Sequence, residues 1–121
     1  MEQRNFPCSK EGMVDAQAFL ELRCDEPKPA IILDEIVSNI VRCSGASGFS
    51  IAIDRAPESL TMVFTDDGKA FDPTKEVEIP DVSASAEDRN IGGLGIFMVK
   101  KMSKSVTYRR EGDRNVLTVV M

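Results

Sequence analysis

Three short motifs carry the residues of this chain that could do chemistry. Each combines side chains or glycines at a spacing that a small ligand would use. In chain order they are Glu35 with Asn39, the turn Asp66-Asp67-Gly68, and the cluster Gly92-Gly93-Leu94-Gly95. Together they supply an amide for a metal ion, an acceptor for an amine and a cradle of backbone N–H groups. Those are the parts of a nucleotide pocket.

Glu35 and Asn39 stand four positions apart in LDEIVSNIVR, so on a helix they lie one above the other on the same face. An amide oxygen is a good Mg²⁺ ligand when water and phosphate oxygens complete the octahedron. A carboxylate one turn earlier can take a proton from an attacking hydroxyl group. Taken alone, the pair is equally typical of a solvated polar helix face.

Asp66 ends an apolar strand pattern, and Gly68 follows it by two residues. A buried aspartate at the end of a strand can accept a hydrogen bond from an exocyclic amine. A glycine beside it lets the backbone approach a flat ring closely. The alternative is an ordinary turn, because D-D-G sequences are common after strands.

The glycine cluster precedes an apolar helical pattern. Consecutive glycines let backbone N–H groups converge on an anion, and the helix N-terminus adds its dipole. The spacing is not that of a P-loop, and the cluster lacks the strand–helix–strand setting of a dinucleotide fingerprint. A lid hinge with a tight helix entry is the alternative.

Composition limits the partners of this chain. With 121 residues it is one domain by length. Its net charge of −5 argues against binding to nucleic acid or to an anionic membrane, which would need a basic patch. The sequence contains no apolar run of about 18 residues, so no membrane-spanning helix is predicted. The N-terminus lacks a signal-peptide pattern, so we expect a cytoplasmic protein.

The cysteine and histidine content narrows the chemistry. Cys8, Cys24 and Cys43 are widely spaced and form no C-x-x-C pair, which indicates free thiols in a reducing compartment. The chain has no histidine. Histidine-based catalysis, histidine metal ligands and a phosphohistidine are therefore excluded, whereas carboxylate chemistry and Mg²⁺ are not.

Hydrophobic periodicity predicts an α/β two-layer sandwich whose sheet is mostly antiparallel. The predicted elements are a strand at 3–8, helices at 9–24 and 29–43, strands near 49–54 and 60–65, a helix at 93–103 and a closing hairpin of strands 105–111 and 114–120. Residues 72–91 are polar, contain two prolines and show no regular pattern. Loops of this length inside a domain are usually lids or binding loops.

The three motifs in this order resemble the GHKL ATPase superfamily, which has the Bergerat nucleotide-binding fold. The nearer match is its branch of anti-sigma factor serine/threonine kinases. The E-x-x-x-N box matches residues 35–39, the D-x-G-x-x-F-D-P box matches residues 66–73, and the G-G-L-G-[IL] box matches residues 92–96. The resemblance covers about residues 28–121, so we expect one ATP-binding domain over 1–121 with an ATP lid at about 72–91.

The resemblance implies a role for each matching residue. Asp66 would contact the adenine amino group, with Thr118 supporting that contact through water. Asn39 would hold Mg²⁺, and Glu35 would be the general base. The remaining nucleotide contacts implied are Gly68, Phe71, Arg89, Gly92, Gly93, Leu94 and Gly95.

The resemblance also implies partners. Family members bind a sigma factor when they hold ATP, and they phosphorylate a serine of a STAS-domain antagonist. Since relatives are often dimers, a homodimer is compatible with the sequence. Three positions depart from the pattern of many relatives: Cys43 replaces a histidine, Ala70 replaces a glycine, and Arg89 is displaced from the glycine box.

Two other functions fit the same motifs. One is a nucleotide-gated protein-binding module without significant kinase activity. The other is an interaction domain that has lost nucleotide binding, although such a domain would be expected to lose Asn39 or Asp66 first.

Overall fold

Two helices pack on one face of an antiparallel sheet. The computed structural model describes residues 2–24, 26–70, 72 and 98–121. In these ranges the elements are β1 (Glu2–Pro7), α1 (Lys10–Glu21), α2 (Pro27–Cys43), β2 (Gly48–Ala56), β3 (Ser59–Asp66), β4 (Ser105–Glu111) and β5 (Arg114–Val120). The strands lie in the order β1-β2-β3-β5-β4, and each neighbouring pair is antiparallel. The predicted two-layer α/β fold is confirmed.

The helices begin and end at the residues whose chemistry favours it. Ser9 caps α1, because its Oγ accepts a hydrogen bond from the Gly12 N–H at 3.1 Å. Helix α2 begins at Pro27, two residues before the predicted start, since a proline in the first turn lacks only an N–H that would have no helical partner. It ends at Cys43 with Ser44 as its C-cap, after which Gly45 takes a positive φ of 69°.

The core lies between α2 and the covered face of the sheet. Alternate residues of β3 are buried while their neighbours are half-exposed, as a period of two requires. The apolar stripe of α2 packs against them. Its buried members are Ile32, Leu33, Ile36, Val37 and Ile40, and their partners on the sheet include Ile51, Met62, Phe64, Leu117 and Val119. Each such side chain contributes about 1.5–3 kcal/mol by leaving water.

The same alternation positions the first candidate residue. Leu60, Met62 and Phe64 face the helices, and two residues further along the same face stands Asp66. A carboxylate therefore occupies the last core-facing position of β3, with 6% of its surface exposed. Burial of a charged group at that position requires hydrogen-bond partners.

The third predicted helix falls only partly within the described residues. Positions 98–102 are helical, and Val99 is buried against the core. The start of this helix and residues 73–91 of the predicted lid lie outside the described residues. None of the helices in the described ranges is long and apolar enough to cross a membrane.

We expect the substitution Gly12→Ala to destabilise the fold. A Cβ at this position would lie 1.9 Å from the carbonyl oxygen of Pro7, which is backbone at the end of β1. Overpacking of this kind costs about 1–3 kcal/mol, which opposes the gain of roughly 1 kcal/mol that alanine gives inside a helix. Urea unfolding should therefore show a lower midpoint for Gly12→Ala. A midpoint at or above that of the wild type would contradict the close packing of α1 on β1.

Candidate functional site

Asp66 presents one oxygen to the protein and keeps the other available. Its Oδ1 accepts hydrogen bonds from the backbone N–H of Gly68 at 2.9 Å and from the side-chain amide of Asn115 at 3.0 Å. None of the described residues donates to its Oδ2. Because Oδ1 is held from two sides, the carboxylate is a fixed acceptor at the end of the sheet.

Asn115 is the functional residue that the sequence analysis missed. It is the cross-strand partner of Asp66 in the β3–β5 register, and 5% of its surface is exposed. Its Nδ2 also donates to the carbonyl oxygen of Lys69 at 2.8 Å. One side chain thus fixes both the carboxylate and the turn that follows it. The signal in the sequence was its position at the start of the last strand, opposite the end of β3.

Gly68 is required where the turn meets the end of α2. A Cβ here would lie 2.4 Å from the carbonyl oxygen of Ser44 and 2.6 Å from its Cβ. The N–H of Lys69 donates to that same carbonyl oxygen at 3.0 Å. The sequence analysis assigned this glycine to a close approach by a ring, whereas the close neighbour within the described residues is the backbone of α2.

Asn39 lies one helical turn before the end of α2 and is not part of a solvated face. Only 8% of its surface is exposed, and no side chain or backbone group of the described residues bonds to its amide. Glu35, one turn earlier, is half-buried. Arg23 Nε is the buried side-chain polar atom without a partner in the described residues, so the amide of Asn39 still reaches solvent although the residue is largely buried. An accessible amide oxygen at this place is a suitable ligand for Mg²⁺.

Comparison with known proteins places these features in a family. Residues 20–121 match the family described as the histidine kinase-like ATPase domain. The chain belongs to this family. This ATPase domain has the GHKL fold, and membership implies that it binds ATP.

Two individual proteins are similar to the ATPase domain. Serine/threonine-protein kinase BtrW of Bordetella bronchiseptica is 28% identical over 90 residues, which are 71% of this chain and 63% of BtrW. The solved histidine kinase AdeS of Acinetobacter baumannii matches all of this chain and 67% of its own, with a TM-score of 0.60 and 13% identity. The second likeness shows the fold.

Thr118 is not brought to Asp66. In the β3–β5 register Thr118 lies opposite Val63, three positions away from the pair of Asp66 and Asn115. An odd number of positions along a strand changes the face, so Thr118 points away from the helices. The expected support for Asp66 from β5 comes instead from Asn115. The other predicted contacts, Phe71, Arg89, Gly92, Gly93, Leu94 and Gly95, lie outside the described residues.

Cavities lie at both ends of the sheet in the described part of the ATPase domain. One of about 180 Å³ opens at the end of the sheet and is lined by residues that include Asp66, Asp67 and Ser47. Another of about 530 Å³ lies at the opposite end, around the β2–β3 turn, and contains none of the predicted site residues. The larger cavity is therefore separate from the site that the motifs define, and the smaller one includes Asp66 but not Glu35, Asn39 or Gly68.

Asp67 anchors the turn on its outer side. Its Oδ2 accepts from the Ser47 hydroxyl at 2.5 Å, and its Oδ1 accepts from the N–H groups of Ser47 and Gly48 at 2.9 and 3.3 Å. These hydrogen bonds lower the pKa of the Asp67 carboxyl below its ordinary value of 3.8, and the bond from the Ser47 hydroxyl has the largest effect. The start of β2 and the turn after β3 are thereby joined.

The stability of the domain should depend on pH through Asp67. Since the pKa is lower in the folded state, the contribution is complete well above pH 3.8 and is lost as the pH falls below 3.8 through the folded pKa. We expect the wild type to lose more unfolding free energy than Asp67→Asn between pH 6 and pH 3. Chemical denaturation of both proteins at the two pH values measures this. Equal losses would show that the Ser47 contacts do not act on the carboxyl.

Proposed function

We propose that this domain binds ATP with Mg²⁺ and transfers the γ-phosphoryl group to a serine of a STAS-domain anti-sigma factor antagonist. In the same proposal, the ATP-bound form holds a sigma factor, and phosphorylation of the antagonist sets which partner is bound. The match to the ATPase family and the likeness to BtrW, which is named a serine/threonine-protein kinase, support this proposal. The matched region is 63% of BtrW.

The observation that carries the proposal is that Asp66 and Asn39, two largely buried residues, each keep a polar group available to a ligand. Asp66 Oδ2 and the Asn39 amide have no hydrogen-bond partner among the described residues, although both residues are more than nine-tenths buried. Neither group is a fully buried atom without a partner, so both remain accessible to a ligand from solvent. A ligand that offers an amine to Asp66 Oδ2 and a bound cation or phosphate to the Asn39 amide would give each group a partner.

In the proposed mechanism, Glu35 accepts the proton of the serine hydroxyl while the serine oxygen forms a bond to the γ-phosphorus. The bond from that phosphorus to the β–γ bridging oxygen breaks, and ADP leaves. Asn39 would be the protein ligand of Mg²⁺, which when bound neutralises charge on the phosphates. Asp66 would orient the adenine ring of ATP, so that most of the rate comes from positioning of the substrate.

ATP binding should depend on Asp66. In Asp66→Asn the amide oxygen keeps the bonds from Gly68 and Asn115, and the amide nitrogen then faces the pocket. A donor would meet the adenine amine, so we expect the affinity to fall by about 30-fold or more, since the mismatch costs about 2 kcal/mol. Calorimetric titration with ATP and ADP, with and without Mg²⁺, measures this.

The control is Asp54→Asn, which removes the same charge from an exposed position of β2. We expect it to bind ATP as the wild type does. If the wild type binds ATP and Asp66→Asn binds it with the same affinity, Asp66 does not contact the nucleotide. A wild type that does not bind at millimolar nucleotide would contradict the proposed function and favour an interaction domain.

Glu35→Gln should abolish phosphotransfer and leave ATP binding intact, because the amide is similar in size and cannot take the proton. Transfer of labelled phosphate from ATP to purified STAS-domain proteins, with phosphoserine located by mass spectrometry, measures the first effect. Calorimetry measures the second. Normal turnover by Glu35→Gln would show that another group is the base.

One observation favours the alternative of a nucleotide-gated binding module. No described residue holds the Glu35 carboxylate by a hydrogen bond, whereas a general base is usually oriented by a neighbour. The same assay separates the two functions: a module would bind ATP and exchange partners with nucleotide while the wild type transfers no phosphate.

Compartment and assembly complete the proposal. Cys8 and Cys24 are free thiols, which supports a reducing compartment such as the cytoplasm. A homodimer is proposed from the resemblance alone.

A further inference from the structure

The adenine-binding carboxylate is connected to the edge strand of the sheet. Strand β4 lies two strands away from Asp66, with β5 between them. In the β4–β5 register Arg110 lies opposite Asn115, and Tyr108 lies opposite Leu117 on the same face. Two long side chains of the edge strand therefore point towards the residue that holds Asp66.

Asn115 has every hydrogen-bonding position of its amide in use. Its Nδ2 donates to Asp66 and to the carbonyl of Lys69, and its Oδ1 accepts from the Tyr108 hydroxyl at 2.5 Å and from Arg110 Nη1 at 3.1 Å. A flipped amide would set donors against donors and acceptors against acceptors. Tyr108 and Arg110 therefore decide which way the Asn115 amide points.

Arg110 also acts on the turn directly. Its Nη1 donates to the carbonyl oxygen of Gly68 at 2.8 Å, and its Nε donates to the carbonyl oxygen of Gly112 at 3.1 Å. The guanidinium thus spans from the β4–β5 turn to the turn after β3. The charge of the guanidinium strengthens both bonds relative to neutral donors.

We infer that Tyr108 and Arg110 are positioning residues for base recognition: through Asn115 and Gly68 they hold Asp66 so that its Oδ2 faces the exocyclic amine of the base. The inference rests on the proposed function. With Oδ1 bound to Gly68 and Asn115, the carboxylate plane is set before the nucleotide arrives. Less conformational freedom is then lost on binding.

The consequence is a selective effect on the amine contact. We call the hydrogen bonds from Tyr108 and Arg110 to the Asn115 oxygen the clamp. Removing one of these bonds lets the Asn115 amide turn, and Asp66 then keeps only the bond from the Gly68 N–H as a fixed contact. A nucleotide with a 6-amino group should lose affinity, because the direction of Oδ2 matters to it. A purine nucleotide without that group should be affected little.

The test compares ATP with purine riboside 5′-triphosphate, which lacks the 6-amino group, by calorimetry on the full chain. The variants are Tyr108→Phe, which keeps the ring packed on the core, and Arg110→Gln. We expect each to reduce the preference for ATP over the purine analogue by about five- to tenfold, the worth of one or two hydrogen bonds. The matched control is Arg109→Gln, since Arg109 is the neighbouring residue on the other face and pairs with exposed Glu111.

The outcomes are distinct. An unchanged preference in both variants, with normal ATP binding by the wild type, overturns the inference and leaves the proposed function standing. Parallel loss of affinity for both nucleotides also overturns it, because that is the result of a merely structural role. A wild type that binds neither nucleotide overturns the proposed function and the inference together.

A second measurement separates an effect that acts through Asp66 from a general loss of structure. In the Asp66→Asn background the effect of Tyr108→Phe on the preference should disappear if Tyr108 acts through Asp66. The side-chain amide signal of Asn115 in a ¹H–¹⁵N spectrum should also shift in Tyr108→Phe without nucleotide. An Asn115 signal that does not move would contradict the clamp.

Discussion

The candidate site depends on the contact between the turn after β3 and the end of α2. The N–H of Lys69 donates to the Ser44 carbonyl oxygen, and position 68 has no room for a Cβ next to that oxygen. This contact joins the helix that carries Glu35 and Asn39 to the strand that carries Asp66. Any residue other than glycine would separate the two halves of the proposed pocket. Stability at this point and ligand binding therefore have the same physical origin.

The surrounding bonds extend this contact in two directions. On the outer side, Asp67 ties the turn to the start of β2 through Ser47. On the inner side, Asn115 ties it to β5 and through Tyr108 and Arg110 to the edge of the sheet. The two adjacent aspartates thus have different tasks: one stabilises the loop geometry, and the other keeps an oxygen available. Alternation along the chain decides which carboxylate takes which task.

Most of the fold was predictable from the sequence, because the stripe of α2 and the alternation of β3 are strong local patterns. The prediction of Asp66 as a fixed acceptor followed from its position at a strand end. Asn115 was missed, and Thr118 lies opposite Val63 and not opposite Asp66, because the pairing depends on the register between β3 and β5. Register over about 50 residues of separation is set by tertiary packing and not by local spacing. Until that register is known, Tyr108 and Arg110 look like ordinary alternating residues of an edge strand, and their contact with Asn115 cannot be predicted.

The full use of the Asn115 amide limits how related sequences can vary. A side chain with a single donor at this position would leave either the Asp66 oxygen or the Lys69 carbonyl without its bond. A side chain without an acceptor there would leave the Tyr108 hydroxyl and Arg110 Nη1 without their shared partner, so a change at Asn115 should be tolerated only with a change at Arg110 or Tyr108. Substitutions at these three positions should consequently be interdependent in evolution, so that each residue type is acceptable only in the company of particular others.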